Sequence, residues 1–126
     1  LLPFISNLRI SFDAGCQETY KLTRVGGDWD NLLENVMFIK ELINQNNFDT
    51  TLSADFVVQK YNYKDLPLFA NLCRSLNLSM NIQKMWNWGT WDTETFHDMN
   101  VYDTKHDLYD DVVNYFKLAN LPIAKN

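Results

Sequence analysis

No two cysteines in this chain stand close enough to share a metal, and no apolar run is long enough to cross a bilayer. Cys16 and Cys73 are the only cysteines, far apart and without CxxC or CxxxC spacing. An iron–sulfur cluster takes several clustered thiolates, so this chain is not expected to hold one. In an acidic chain with no signal-like start, the two read as free buried thiols rather than a bridge. Basic residues are also few: 11 Lys and Arg stand against 16 Asp and Glu, and the net charge is −5. The basic residues are scattered, so a broad phosphate-binding face is excluded, and attraction to an anionic membrane surface is disfavoured. A membrane-spanning helix needs about 20 predominantly apolar residues, and none is present. The start, Leu1–Phe4, lacks the basic flank and small-residue cleavage site of a signal peptide, so a cytoplasmic location is expected. It also lacks an initiator methionine, which reads as processing or as a stretch of something longer.

What the chain does contain is a globular balance, 46 % hydrophobic and 21 % charged, and 126 residues suit one domain or part of one. Residues 8–12 alternate apolar and polar, the period of a strand with two different faces. Asp13, Ala14 and Gly15 break it, and a short helix over 16–22 precedes the Gly26-Gly27 stop. The clearest helix spans 28–46. Asp28 is its N-cap, and Trp29, Leu32, Leu33, Val36, Ile39, Leu42 and Ile43 recur at three- and four-residue steps. A buried strand over 51–59 follows. The pattern over 62–76 is helical, with a looser turn up to about Asp65 because Pro67 fits only a first turn, and Asn77 stops it. A weaker strand spans 80–85. Strands separated by helical crossovers predict a parallel βαβαβ sheet with helices 28–46 and 65–76 on one face. A short helix over 93–99 and a last one over 105–118, capped by Thr104 and carrying Leu108, Val112, Tyr115 and Phe116, complete the chain.

Constellations that could carry chemistry are sparse. His97 and His106 lie among Asp92, Asp98, Asp103 and Asp107, but no spacing gives a helical ligand pair, and these read as solvated surface. Ser11, Ser53, Cys16 and Cys73 lack the sequence around a catalytic nucleophile. Gly26-Gly27, followed by Asp28 and Asp30, is a plain turn rather than a phosphate cradle. Trp86, Trp88 and Trp91 form an aromatic loop with two open readings: a stacking surface for a flat ligand or a protein, or a cover for the end of the sheet.

Three stretches taken in order resemble the radical S-adenosylmethionine enzyme family. They are Leu8-Arg9-Ile10-Ser11-Phe12-Asp13-Ala14 with Glu18-Thr19-Tyr20 and Arg24-Val25-Gly26-Gly27; Phe56-Val57-Val58-Gln59 with Asn62; and Trp86-Asn87-Trp88-Gly89. The resemblance covers most of residues 8–118 and implies the later half of a partial TIM-like barrel, beginning about at its fourth strand, with the [4Fe–4S] cluster loop absent. It implies that Ser11 and Asp13 face the ribose or amino-acid part of S-adenosylmethionine, that Arg24 lies near its carboxylate, and that Gln59 and Asn62 sit on the same side. It assigns no catalytic residue and no metal ligand to this chain. The function implied is the cofactor-side part of such an enzyme, inactive without its cluster-binding half, which is then a required partner. The alternative is a non-catalytic α/β interaction module that binds a protein through the aromatic loop or an open sheet edge. A half-barrel leaves a strand edge and a sheet face uncovered. A homodimer through an apolar face of the first strand is therefore expected, unless helix 105–118 folds back over it.

Overall fold

The computed structural model describes residues 4–123. Three strands, β1 (Asn7–Ser11), β2 (Thr51–Val57) and β3 (Ser79–Gln83), form one parallel sheet in the order β1-β2-β3. Between them run α1 (Gln17–Thr23), α2 (Trp29–Asn46) and α3 (Leu66–Leu76), the last preceded by a 3₁₀ turn at Tyr63–Asp65. After β3 come α4 (Thr93–Met99) and α5 (Tyr109–Leu118). The chain is thus a mixed α/β fold built on a parallel βαβαβ sheet. Among the described residues no helix is long and apolar enough to cross a membrane.

Local chemistry accounts for most boundaries. Asp28 caps α2 by accepting the Asn31 N–H at 3.2 Å, and left-handed asparagines end α2 and α3: Asn47 at φ 52° and Asn77 at φ 53°. Such a residue closes a helix by satisfying its last carbonyls, and asparagine tolerates the conformation better than most residues. Pro67 lies in the first turn of α3, where its missing N–H costs nothing.

Registration makes the two faces of the sheet chemically different. Leu8 pairs with Leu52, Ile10 with Ala54, Ala54 with Met80 and Phe56 with Ile82, so these apolar side chains share one face. α2 and α3 both cover it, since Phe12 meets Trp29 edge-on with ring centroids 6.1 Å apart and Phe69 at 5.8 Å. Val36, Phe69, Ala70 and Cys73 join the same core, and α5 extends the helical layer with Val112 and Phe116. The other face carries Asn7, Arg9 and Ser11 from β1, Thr51, Ser53 and Asp55 from β2, and Ser79, Asn81 and Gln83 from β3, with Val57 its one apolar member. β2 is the buried strand that its β-branched and aromatic content suggests, with Leu52, Ser53, Ala54 and Phe56 buried, although its two faces alternate between apolar and polar residues.

This pattern corrects the basis on which self-association was expected. The apolar side of β1 is the helix-covered side, and the uncovered side is polar. Nor does α5 fold over the sheet: it docks beside α3, with the Tyr63 hydroxyl donating to Asp111 at 2.7 Å and Arg74 donating to the Ala119 carbonyl at 2.8 Å. α5 also starts four residues later than 105. Its N-cap is Leu108 without a side-chain bond, so Thr104 does not cap it. His106 is the reason. Its Nδ1 accepts the Leu108 N–H at 3.0 Å and its Nε2 lies 3.0 Å from the Asp98 carbonyl, which holds 101–108 in turns. The strands end slightly early too, β2 at Val57 and β3 at Gln83.

Gly15 sits where a side chain cannot. A Cβ there would lie 2.7 Å from the Phe69 nitrogen and 2.9 Å from the Asp65 carbonyl oxygen, backbone atoms that cannot step aside. Gly15→Ala is expected to cost about 2–3 kcal/mol in urea unfolding. Gly26→Ala, at φ +83° with open space around it, should cost only about 1 kcal/mol.

Candidate functional site

Ligands of parallel α/β sheets gather at the carboxyl ends of the strands, and the residues singled out in the sequence converge there. Asp13 follows β1 in the left-handed region at φ 52°, an uncommon state for a non-glycine residue that its surroundings hold in place. Its carboxylate accepts the Val57 N–H at 2.8 Å through Oδ1 and Arg24 Nη2 at 2.9 Å through Oδ2. Asn62 completes the cluster from the loop after β2. Its Nδ2 donates to the Asp13 carbonyl at 3.1 Å and the Val57 carbonyl at 2.8 Å, and its Oδ1 accepts the Gln59 N–H at 2.8 Å. Only 1 % of Asn62 is exposed. Behind this clamp Asp65 accepts the Gly15 N–H at 2.8 Å, pinning the loop after β1 to the start of α3.

Asp13, Arg24 and Asn62 are thus brought together, but largely to serve one another. Asn62 has spent its polar atoms inside the protein and orients the loop rather than meeting a ligand. Arg24, expected near a ligand carboxylate, finds one in Asp13, because the helix α1 returns it over the end of β1. It remains 42 % exposed, with guanidinium N–H groups to spare. Ser11 is exposed at the last position of β1, in register with Asp55. Gln59 is half-exposed, with its backbone fixed by Asn62. Ser11, Arg24 and Gln59 are therefore the singled-out residues that keep polar side chains accessible to solvent.

Missed in the sequence is a polar row lower on the same face. Arg9 Nε donates to both oxygens of Asp55 at 3.2 and 3.0 Å, its Nη2 lies 2.8 Å from Oδ2, and Asn81 Nδ2 donates to Oδ1 at 3.2 Å. The row links all three strands. The alternation of Thr51, Ser53 and Asp55 was the signal available for it.

Beyond β3 the aromatic loop is ordered by Asn87, whose Oδ1 accepts the Gly89 N–H at 2.9 Å and the Trp91 N–H at 3.3 Å. Gly89 takes φ +91° to close the turn. Trp86 is 69 % and Trp88 85 % exposed, so the loop does not seal the sheet end. Asp92 then caps α4 through the Thr95 N–H, which holds its carboxyl below the usual range. Comparison of the chain with protein-family models, curated proteins and solved structures finds no match.

The residues present do not fit an iron–sulfur cluster. Cys73 is fully buried, and burial pushes its thiol up to about 12; Cys16, half-exposed rather than buried, lies on a different element. Among the described residues no group of three or more His, Cys, Asp or Glu side chains is placed to hold a metal ion. Two outcomes follow. Anaerobic incubation with iron and sulfide should leave no stoichiometric cluster by absorbance and bound iron. A disulfide reagent at pH 8 should titrate Cys16 quickly and Cys73 only on unfolding, because the buried thiol stays protonated below its raised pKa. The same linkage makes stability fall as pH rises from the unfolded value near 9.0 towards about 12. Asn62→Ala should cost about 2–4 kcal/mol in urea unfolding, since it strands two buried carbonyls and an amide. Gln59→Ala should fall within about 0.5 kcal/mol of the parent.

Proposed function

We propose that this chain supplies the later βα units of a radical S-adenosylmethionine enzyme core, contributing cofactor contacts while a separate cluster-binding half completes the barrel. The observation that carries this reading is the polar sheet face. An all-parallel sheet is normally covered on both faces and reads apolar throughout. Here one face is apolar beneath helices, and the other presents Arg9, Ser11, Asp55, Asn81 and Gln83. A sheet of that kind suits the wall of a barrel that holds a polar ligand near the carboxyl ends of its strands.

The flank of α2 supports the same reading. Of its 18 residues only Val36 is buried. Phe38, 61 % exposed, and Leu42 lie one turn apart, on the side away from Lys40, which donates to the Leu76 carbonyl on α3. β1 is an edge strand of this sheet. One further βα unit beside β1 would pair the edge and cover the flank together.

In this reading Ser11 and Gln59 bind ribose hydroxyls, and Arg24 binds the amino-acid carboxylate. Asp13 and Asn62 act as positioning residues that hold the loop and the guanidinium. The radical chemistry belongs to the cofactor; these side chains bind and orient it.

Titration calorimetry with S-adenosylmethionine should show weak binding, reduced by Ser11→Ala and by Arg24→Ala. Urea midpoints taken alongside separate a lost contact from a loosened Asp13. Strong binding that neither substitution alters would place the ligand elsewhere and overturn the assignment.

A second reading is favoured by the same edge and flank: a non-catalytic module that pairs with a second copy through β1 and α2. Light scattering over a dilution series decides it, since a constant monomer mass at high micromolar concentration removes the dimer.

A further inference from the structure

Between the loop after β3, α4 and the turn at 100–104 lies a depression of about 350 Å³, within the range of small-molecule pockets. It is separate from the residues assigned to the cofactor above. Met85, 8 % exposed, and Tyr102, 2 % exposed, are its well-packed residues, and Phe96 and Trp86 stand beside them. Its aromatic wall is prearranged. Asn87, next to Trp86, closes the turn over Gly89 and Trp91, and Tyr102 is packed on Phe116 with centroids 5.0 Å apart. An indole left 69 % exposed on an ordered loop offers stacking area at little entropic cost.

The second observation is Asn100, which lines the same depression. Its backbone is committed both ways: the N–H donates to the Phe96 carbonyl at 2.9 Å, and the carbonyl accepts the Asp103 N–H at 3.2 Å. Its side-chain Oδ1, by contrast, is buried without a hydrogen-bond partner. An unmatched buried acceptor is costly and marks a place where a donor belongs. The amide torsion of asparagine is soft, and a ligand bound here requires a rotation that turns Oδ1 towards the depression while the backbone stays still.

We propose that this depression binds a planar nitrogen heterocycle, stacked on Trp86, whose ring N–H donates to Asn100 Oδ1. The apolar wall sets the preference for a flat ring, and the acceptor selects for an N–H over a ring oxygen. Lys84, with its ammonium 5.4 Å from the Tyr102 ring centre, and Asp103 line the same depression with opposite charges, so an uncharged ring is the simplest match.

Indole and benzofuran test this directly, being nearly the same shape but differing in the N–H. In heteronuclear NMR titrations of the full chain, indole should shift the Trp86 indole N–H and the Asn100 side-chain amide. Benzofuran should bind roughly tenfold more weakly, the worth of one hydrogen bond. Trp86→Ala, at an exposed position, should weaken both probes alike. Asn100→Leu should abolish the preference for indole, while Asn100→Asp, which keeps an acceptor, should retain it. Equal affinity of the wild type for the two probes overturns the proposal and marks Oδ1 as satisfied by water. So does the absence of shifts at Trp86 and Asn100 at millimolar indole. The wild-type comparison decides the matter even if Asn100→Leu does not fold. Neither result bears on cofactor binding at Ser11 and Arg24, which is read by calorimetry with a different ligand.

Discussion

The fold turns on the amide of Asn62. From the loop after β2 it holds the Asp13 and Val57 carbonyls and the Gln59 N–H, while the Asp13 carboxylate returns a bond to the Val57 N–H. The two strand ends are thereby locked at a point where ladder hydrogen bonds have run out and water is excluded. Buried polar groups of this kind are stabilising only when every member is satisfied, and here each is. Release of any one would free the loop that carries Gly15 across the start of α3, and with it the anchor of Asp65.

A second constraint is the division of the sheet into two chemistries. Three strands in register put every apolar residue but Val57 under the helices and every polar one on the other side. A three-stranded parallel sheet with one helical layer is a small core. Its cohesion is concentrated in the aromatic column Trp29–Phe12–Phe69–Phe56, in which each ring touches the next. The polar face is then left to hydrogen bonds and ion pairs such as Arg9–Asp55 rather than to packing.

Much of this was legible in the residues. The βαβαβ order, the parallel sheet, both helices on one face, the Asp28 cap, the Pro67 first turn and the Asn77 stop follow from local periodicity and capping rules, and those rules act within a few residues. What escaped depends on partners distant in sequence. The lateness of α5 arises from His106 reaching back to Asp98. The internal use of Asn62 arises from Asp13, 49 positions earlier. β2 concealed its polar side because Phe56, Val57 and Val58 end it in an apolar run. Of the residues singled out at the strand ends, local pattern did not distinguish those that hold the loop, Asp13 and Asn62, from those left facing outward, Ser11 and Gln59.

The distribution of tryptophan has an optical consequence. Trp29 is packed between Phe12 and Tyr20 in the core, whereas Trp86, Trp88 and Trp91 share one exposed loop. Emission from this chain is therefore weighted towards water-facing indoles at the end of the sheet, and its red edge reports on that loop. The chiral signal of closely packed rings in the near ultraviolet includes the Trp29 column and the Tyr63–Tyr115 and Tyr102–Phe116 pairs. The two optical methods watch different tryptophans of one small domain, one packed against Phe12 and the others on the loop, so a ligand that settles on the loop changes the emission and leaves the dichroism of the core unaltered.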